Sequence, residues 1–455
     1  MHRHISRVDN DTIAAIATPP GRGAIAIVRA SGPGCVELGR KLFHSKTKLE
    51  HHVAAYGTIV DERATRIDRG LAIFARAPRS YTGEDTLEFH VHGSPVVSAE
   101  VLRAMIACGA RYAQAGEFTR RAFLNGKMDL HAAASVADLI DAEHRSAARA
   151  ALANMGGALA NEVRALRARL AVILEELAAS IDYPDEVPEP QTGPLRAELA
   201  SIVTELQRLL HDAEIGRMVR DGVHVAIVGP PNAGKSSLLN ALLGEDRALV
   251  SDIAGTTRDT IEESITIDGV RVRLTDTAGL RGDADTLEAA GMERTQRALA
   301  GARLVLVVID GSQPLSDEAG SVLEQTRERD RVLFFNKADI GSRGWEEARI
   351  PDAIHGSVRK HETLGRIRDA IAQHAWLGEM PDLQRPHLAS LHESDAVAQG
   401  LQSLDAAMVS IASKMPLDLI APDLQQAFAA LGQLTGESVT EELLTGIFAR
   451  FCIGK

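Results

Sequence analysis

Residues 223–243 carry the residue types and the spacing of a phosphate-binding loop. Val223–Val228 is an apolar run that predicts a buried strand, residues 229–236 match the pattern G-x-x-x-x-G-K-[ST], and the pattern from Ser237 onward predicts a helix. Small residues let successive backbone N–H groups turn toward one point, and the helix N-terminus adds positive charge there. The segment therefore predicts a polyphosphate site, formed by Asn232, Ala233, Gly234, Lys235, Ser236 and Ser237.

Hydroxyl and carboxylate groups follow this loop at two further places. The run Gly-Thr-Thr-Arg-Asp at residues 255–259 supplies hydroxyls, and Mg²⁺ prefers oxygen ligands, so we assign Ser236 and Thr257 to Mg²⁺. A predicted strand at residues 270–274 leads to Asp276, which we expect to hold a metal-bound water, while the N–H of Gly279 meets the γ-phosphate. The nucleotide contacts predicted here are Thr256, Thr257, Asp276, Thr277, Ala278 and Gly279.

The base is predicted to lie against Asn-Lys-Ala-Asp at residues 336–339, which follows a second pair of buried runs at residues 304–309 and 331–335. The carboxylate of Asp339 can accept both the N1–H and the exocyclic amine of guanine, and adenine has no such pair of donors. A charge-assisted pair of this kind contributes about 1.5 to 3 kcal/mol, so the ligand is GTP and not ATP. The predicted base-side residues are Asn336, Lys337, Asp339, Ser357 and Arg359.

One position departs from the Ras-like pattern. Leu280 follows Asp-Thr-Ala-Gly where Ras-like GTPases carry a water-orienting glutamine. A leucine side chain has no group that orients water. Hydrolysis must therefore depend on another residue, a cation or a partner.

Composition limits the class of protein. The 455 residues suffice for two or three domains, and 45% apolar with 25% charged residues is ordinary for a globular protein. No apolar run approaches the roughly 20 residues of a membrane span, and the first residues do not resemble a signal peptide, so we expect a cytoplasmic protein without membrane contact. The formal net charge of −12 argues against a protein surface that attracts nucleic acid as a whole. Any RNA contact must be local or shared with a partner.

The cysteines and histidines do not predict a metal centre. Cys35, Cys108 and Cys452 lie far apart with no zinc-ligand spacing, and two of them are expected to be buried and inert. His90 and His92 alternate on one predicted strand without a third ligand at zinc spacing, so we expect a structural role for both.

The predicted fold is multidomain α/β plus α. Predicted strands at residues 12–17, 24–29, 56–60, 71–74 and 87–91, with helices at residues 35–43 and 94–108, indicate an N-terminal α+β domain. A helical bundle domain follows, with apolar stripes at residues 159–181, 195–213 and 388–411. A P-loop GTPase domain of Ras-like α/β type is inserted into the helical domain; two independent bundles are the alternative. The predicted bounds are 1–119 for the first domain, 120–216 and 385–455 for the helical domain, and 217–384 for the inserted G domain.

The sequence resembles the family of bacterial tRNA modification GTPases called MnmE or TrmE. The resemblance covers nearly the whole chain and rests on the GTPase motifs together with five others, at residues 17–23, 81–85, 116–119, 121–125 and 451–455. It implies a homodimer that forms a heterotetramer with the flavoprotein MnmG (GidA) and adds a carboxymethylaminomethyl group to C5 of the wobble uridine of certain tRNAs.

The resemblance also implies how hydrolysis proceeds without the glutamine. Potassium stimulates hydrolysis when the two G domains of the dimer meet, and the matching K⁺ positions are Asn232, Ser251, Ile253 and Thr256, with Ser251 also a nucleotide contact. Glu288 takes the place of the residue that orders the attacking water. The candidate catalytic residues are thus Glu288, Asp276 and Lys235, with Cys452 as a further candidate in the modification itself.

A folate site is implied in the same way. The family's positions for 5-formyltetrahydrofolate or a related one-carbon folate match Arg29, Glu88, Lys127 and Lys455. A carboxylate suits the donor edge of a pterin, and cations suit a glutamate tail. The alternative function is a switch-type GTPase of ribosome assembly, which shares the GTPase motifs but does not need a folate pocket.

Overall fold

The chain forms two compact units. The computed structural model describes residues 10–249, 262–267, 270–276, 299, 301–348, 350–375, 385–437, 440–449 and 451–454. The first unit contains Met1–Asp141, Asn154–Leu210 and Pro386–Lys455, and the second contains Ala142–Ala153 and His211–Arg385. The chain thus leaves the first unit and returns to it, as an inserted G domain requires. The individual domain boundaries stay predictions.

A seven-stranded sheet organises the N-terminal part of the first unit. Its strands are β1 (Ile13–Ile16), β2 (Ile25–Ser31), β3 (Phe43–His44), β4 (Ala54–Val60), β5 (Arg66–Ala75), β6 (Thr86–His92) and β7 (Arg111–Tyr112), in the order β3-β4-β5-β6-β2-β1-β7. All neighbours are antiparallel except β1 and β7. Side chains alternate between the two faces, so Leu87, Phe89 and Val91 of β6 are buried on one face while Glu88 and His90 lie on the other.

Two helices cover the apolar face of this sheet. They are α1 (Cys35–Leu42) and α2 (Pro95–Ala107). Leu38 and Leu42 of α1, together with Val101 and Met105 of α2, join the core that the sheet strands form. The predicted α+β domain is confirmed.

The next helices are α3 (Glu117–Leu124), α4 (Leu130–Ile140), α5 (Arg145–Met155), α6 (Ala158–Asp182) and α7 (Thr192–Asp221). The apolar stripe of α6 is buried as predicted, because Leu159, Val163 and Leu170 are at most 1% exposed. Ile181 differs from the prediction, being 39% exposed one residue before α6 ends at the proline-containing segment.

The second unit is built on a six-stranded, mainly parallel sheet. Its strands are β8 (Val223–Val228), β9 (Glu262–Ile267), β10 (Val270–Asp276), β11 (Leu304–Asp310), β12 (Arg331–Asn336) and β13 (Ile354–His355), in the order β13-β12-β11-β8-β10-β9, and only β9 is antiparallel to its neighbour. Its helices are α8 (Lys235–Leu249), α9 (Asp317–Gln325), α10 (Arg343–Ala348) and α11 (His361–Ala375). Two apolar clusters lie on the two faces of the sheet, which is the arrangement of a doubly wound α/β domain.

The first unit ends with α12 (Leu391–Ala412), α13 (Leu417–Thr435) and α14 (Glu441–Phe448). Val397 and Leu404 are fully buried as predicted, whereas Leu391 is 63% exposed because it is the first residue of its helix. None of the helices in the described ranges is long and apolar enough to cross a bilayer. The predicted insertion of a P-loop GTPase domain into the sequence of a helical domain is confirmed.

Candidate guanine-nucleotide and folate sites

The P-loop connects β8 to α8 at the carboxyl edge of the sheet. Gly234 has a φ of 99°, and a Cβ at this position would lie 2.3 Å from Nδ2 of Asn336. Only glycine fits both the left-handed backbone and the close approach. Asn232, at φ 62°, is exposed on the same loop, and Ser236 and Ser237 are exposed in the first turn of α8. Their side chains are thus accessible for a ligand at this helix N-terminus.

Lys235 lies inside the loop that it belongs to. Its side chain is 7% exposed, and Nζ donates hydrogen bonds to the carbonyl oxygens of Gly229 at 2.8 Å and Pro230 at 2.7 Å. These two contacts place the positively charged ammonium group at the phosphate-binding loop. A phosphate oxygen is a favourable partner for a charge in this position.

Asn336 joins the loop to the predicted base-binding motif. It is 2% exposed, and its Nδ2 donates to the carbonyl of Ala233 at 2.9 Å. Its Oδ1 accepts from the backbone N–H of Lys337 at 2.8 Å and of Val358 at 3.2 Å. One buried amide therefore holds three of the predicted motifs together: the P-loop, the segment at residues 336–339 and the segment at residues 357–359.

The base side of the site contains an ionised carboxylate. A hydrogen bond from the buried Ser357 hydroxyl lowers the pKa of the exposed Asp339 carboxyl, and the charge of Arg359, with Nη1 3.6 Å from Oδ2, adds to the effect. The group is therefore an acceptor at neutral pH. This is the state that pairing with the two guanine donors requires.

Sequence reasoning missed Asp310, the last residue of β11. Its Oδ2 accepts from Nζ of Lys337 at 2.7 Å, and its Oδ1 accepts from the hydroxyl of Ser312 at 2.6 Å. Burial raises the pKa of Asp310, but the hydrogen bonds from Lys337 and Ser312 outweigh it and lower the pKa overall. The signal that could have found it is its position, since Asp310 and Asn336 pair in register where two parallel strands end.

Asp276 ends β10 beside the P-loop strand, where it pairs in register with Ile227. The predicted strand that leads to Asp276 is therefore confirmed from the backbone. The structure does not describe the side chain of Asp276. The other predicted nucleotide, K⁺ and water-ordering positions lie outside the described residues, and they are Ser251, Ile253, Thr256, Thr257, Thr277, Ala278, Gly279, Leu280 and Glu288.

The predicted folate residues Arg29 and Glu88 lie side by side on the sheet face that α1 and α2 leave uncovered. They pair in register on β2 and β6, with Nε of Arg29 2.7 Å from Oε1 of Glu88. A hydrogen bond from His90 at 3.1 Å lowers the pKa of Glu88, burial works against it, and the charge of Arg29 lowers it further. The guanidinium carbon of Arg29 lies 5.9 Å from the Tyr81 ring centroid and 5.8 Å from that of Phe118, so aromatic rings border the pair.

Lys127 and the C-terminal segment approach the same domain. Nζ of Lys127 donates to the carbonyl of Pro78 at 3.1 Å. Ile453 forms a bridge with Ala115, and a Cβ on Gly454 would lie 2.4 Å from the carbonyl oxygen of Ile16 at the end of β1. Lys455 lies outside the described residues. Gly454, the residue before it, contacts β1, which is the strand next to β2 and Arg29.

The cysteines follow the prediction in part. Cys35 is buried and burial raises its pKa, whereas Cys108 is only partly buried, so the expectation of two buried cysteines is wrong for Cys108. Cys108 stands at the C-terminal end of α2, where the helix leaves its side chain near the surface. Cys452 is exposed, and its carbonyl accepts from the N–H of Gly116 at 3.5 Å.

Comparison with known proteins identifies relatives along the whole chain. A family model described as the GTP-binding protein TrmE N-terminus matches residues 12–127, and one described as the MnmE helical domain matches residues 130–452. The chain is 38% identical over 453 residues to the tRNA modification GTPase MnmE of Lactobacillus johnsonii, 39% over 453 residues to that of Streptococcus thermophilus and 41% over 457 residues to that of Synechococcus sp.. Each alignment covers 98% of this chain and 98% of its relative. These matches, with the P-loop site described above, show that the chain belongs to the MnmE family of tRNA modification GTPases.

Proposed function

We propose that this GTPase hydrolyses GTP to GDP and phosphate in a K⁺-stimulated cycle that requires the G domains of a homodimer to meet. The cycle drives the addition of a carboxymethylaminomethyl group to C5 of the wobble uridine of certain tRNAs, together with the flavoprotein MnmG (GidA). We place this activity in the cytoplasm. The observation that carries the proposal is the buried amide of Asn336, which connects the phosphate loop to the guanine-binding motif.

At the phosphate end, the residues of the chain fit GTP with Mg²⁺. Lys235 would pair with phosphate oxygens through the ammonium group that the loop carbonyls of Gly229 and Pro230 hold in place. Ser236 and Thr257 would hold Mg²⁺, which neutralises phosphate charge, and Asp276 would hold one of its waters. At the other end Asp339 would accept the two guanine donors, with Ser357 and Arg359 keeping it ionised.

A K⁺ ion would supply the positive charge that an arginine finger supplies elsewhere. Asn232 is the one K⁺ candidate in the described ranges, and its exposed side chain on the P-loop supports the assignment. Ser251, Ile253 and Thr256 complete the proposed set, and Glu288 would orient the attacking water that Leu280 cannot. In the reaction a water oxygen forms a bond to the γ-phosphorus while the bond to the β–γ bridging oxygen breaks.

The N-terminal domain would bind the one-carbon folate. Each oxygen of Glu88 has a second lone pair beyond its bond to Arg29 or His90, so the carboxylate can also accept from a pterin. Lys127 and Lys455 would pair with the glutamate tail. The docking of Ile453 and Gly454 beside β1 supports the inclusion of the C-terminal lysine, and brings the exposed Cys452 to the same region.

Comparison of GTP turnover in K⁺ and Na⁺ buffers of equal ionic strength tests the hydrolytic cycle. We expect faster turnover in K⁺ for the wild type and loss of the difference for Asn232→Ala. Asn240→Ala, an exposed asparagine on α8, is the matched control and should keep the K⁺ stimulation. Equal wild-type rates in the two salts would refute the cation mechanism.

Titration of the full-length dimer with 5-formyltetrahydrofolate tests the folate site. Arg29→Ala should weaken binding at least tenfold, because it removes both the cation and the partner of a half-buried carboxylate. Arg103→Ala, which removes an exposed cation of α2, should bind like the wild type. Absence of wild-type binding would count against the folate assignment, while analysis of wobble uridines in cells lacking the protein checks the pathway as a whole.

A further inference from the structure

A second concave site lies in the N-terminal domain, away from the proposed folate residues. A cavity of about 520 Å³ opens between α1, the segment after β3 and the end of β5. Its wall includes Phe74, which belongs to the sheet face covered by α1, whereas Glu88 lies on the opposite face of the neighbouring strand. The volume falls within the range of sites that bind small molecules or single groups of larger ones.

The charge of this cavity has one sign. Arg40 from α1, Lys48 from the following segment and Arg76 from beyond β5 line it, and no Asp or Glu is among its described lining residues. None of these three cations forms an ion pair within the described part of the chain, whereas Lys41, one residue along α1, pairs with Glu37 outside the cavity. Three separate segments thus bring three cations without ion-pair partners in the described residues to one opening, although the net charge of the protein is −12.

The remaining wall combines the polar residues Ser45 and Thr47 with an apolar part, in which Phe43 is 6% exposed and Phe74 is 9% exposed. Phe43 and Phe74 line the cavity, and Phe43 is held in place by stacking on Phe89 with ring centroids 5.9 Å apart. The backbone N–H of Arg76 donates to Nδ1 of His51 at 3.0 Å, which fixes the end of β5 at the rim. A small inorganic anion would use the cations but leave the aromatic wall without contact. A nucleotide uses both, because it carries a phosphate and a planar ring.

We propose that this cavity is a docking site for one nucleotide of the tRNA substrate. A backbone phosphate lies against Arg40, Lys48 and Arg76. The base or ribose lies against the apolar wall formed by Val36, Leu49 and the accessible edges of Phe43 and Phe74. The inference rests on the proposed function in one respect, that tRNA is the substrate. It also agrees with the inference from net charge that any RNA contact must be local or shared with a partner.

Binding of unmodified tRNA to the full-length dimer without nucleotide, measured by fluorescence anisotropy over a range of NaCl concentrations, tests the proposal. The triple variant Arg40→Gln, Lys48→Gln, Arg76→Gln should bind tRNA at least tenfold more weakly. The slope of log affinity against log salt should become shallower by about 0.7 to 0.9 for each phosphate that the variant no longer neutralises. GTP turnover should be unchanged, since none of the three residues belongs to the nucleotide site.

A matched triple variant removes the same charge elsewhere in the domain. Arg63→Gln, Arg66→Gln, Arg103→Gln changes three exposed cations that do not line the cavity, and it should keep wild-type affinity and slope. Equally weakened binding in both triple variants, or wild-type binding in both, would overturn the proposal. Competition by UMP distinguishes a nucleotide within tRNA from a free mononucleotide. A cavity variant that loses UMP binding but keeps its tRNA affinity would identify a mononucleotide site and would overturn RNA docking.

This test is independent of the proposed catalytic cycle. If K⁺ stimulation or folate binding fails, the cavity variants still report on RNA docking. If RNA docking fails, K⁺-stimulated turnover and folate binding are unaffected.

Discussion

Asn336 has a structural role in addition to the base-side role that its motif predicts. Its amide is buried and bonded to residues of two other segments, one of them 103 positions away in the sequence. Removing one partner of a buried hydrogen bond leaves the other unsatisfied, at about 1 to 3 kcal/mol. The phosphate and base ends of the site are therefore coupled through this one residue.

Gly234→Ala tests that coupling at the closest contact. The added Cβ would clash with the buried Nδ2 of Asn336 and would force alanine into a left-handed backbone, so we expect about 2 to 5 kcal/mol of destabilisation and loss of GTP binding. Thermal unfolding and nucleotide titration measure the two effects. Gly244→Ala in α8, where a Cβ meets nothing within 4 Å, should instead be neutral or stabilising by up to about 1 kcal/mol.

Asp339→Asn tests base recognition. An amide offers one acceptor and one donor where the carboxylate offers two acceptors, so it forms one hydrogen bond fewer with guanine and one more with xanthine. We expect turnover to shift from GTP toward the xanthosine nucleotide by at least tenfold, measured as kcat/KM for both. Asp369→Asn, at an exposed position of α11, provides the control. Unchanged GTP preference in the Asp339 variant would refute the assignment.

Among the elements, α12 begins with a capping box that also binds a distant helix. The Ser390 hydroxyl accepts from the N–H of Glu393, and Oε2 of Glu393 accepts from the N–H groups of Ala389 and Ser390. Oε1 of Glu393 lies 2.8 Å from Nδ1 of His131 on α4. Burial opposes both charges, but their mutual attraction outweighs it, raising the pKa of His131 and lowering that of Glu393 to about 2.

This pair predicts a pH dependence for the start of α12. The stabilisation that comes from protonated His131 is complete below the unfolded-state pKa of 6.5, and it is lost as the pH rises through the higher folded-state pKa. The stabilisation that comes from ionised Glu393 is complete above pH 4.5, and it is lost as the pH falls toward the folded-state pKa of about 2. Protection of the first-turn amides of α12 from hydrogen exchange, corrected for intrinsic exchange rates, should therefore be greatest between pH 4.5 and pH 6.5. The double variant His131→Gln, Glu393→Gln should lack the decline above pH 6.5, and an unchanged decline would contradict the pairing.

The elements themselves were largely predictable, and the exceptions share a cause. The helices with the apolar stripes at residues 159–181, 195–213 and 388–411, and the strands at residues 223–228, 304–309 and 331–335, appear where the sequence predicts them. The strands that escaped prediction are β3, β7, β9 and β13, of which three have only two residues and β9 reads Glu-Glu-Ser-Ile-Thr-Ile. These segments become strands by pairing with a neighbour, and their own composition carries little signal.

At the scale of the whole molecule, the second unit recruits a segment from outside the predicted G domain. Ala150 of α5 is 3% exposed and belongs to the same apolar cluster as Met218 and Val223. Arg271 of β10 also pairs with Glu143, just before α5. A G domain excised at residues 217–384 would lack these interactions, and no pattern in the sequence of α5 indicates them.

Ala150→Glu tests whether α5 stabilises the nucleotide-binding unit. A carboxylate buried in an apolar cluster without a partner should destabilise the unit by several kcal/mol. Trp345 packs against an apolar cluster of the second unit, so its fluorescence in a Trp376→Phe background reports on the unfolding of that unit. Leu152→Glu on the same helix, at a position 55% exposed, should leave that transition unchanged. Equal effects of both substitutions would argue against the packing role of α5.

The sequence alone determined the P-loop, the order of the GTPase motifs, the preference for guanine and the insertion of one domain into another. These features depend on neighbouring residues whose spacing is fixed by the covalent chain. The tertiary structure decided which distant groups meet: Asn336 with the P-loop, His131 with Glu393, and three cations around one cavity. Such encounters depend on packing among elements far apart in the chain, which local periodicity and residue spacing do not encode. The P-loop could thus be predicted from the sequence, whereas its hydrogen-bonded connection to the base-binding motif through Asn336 was visible only in the tertiary structure.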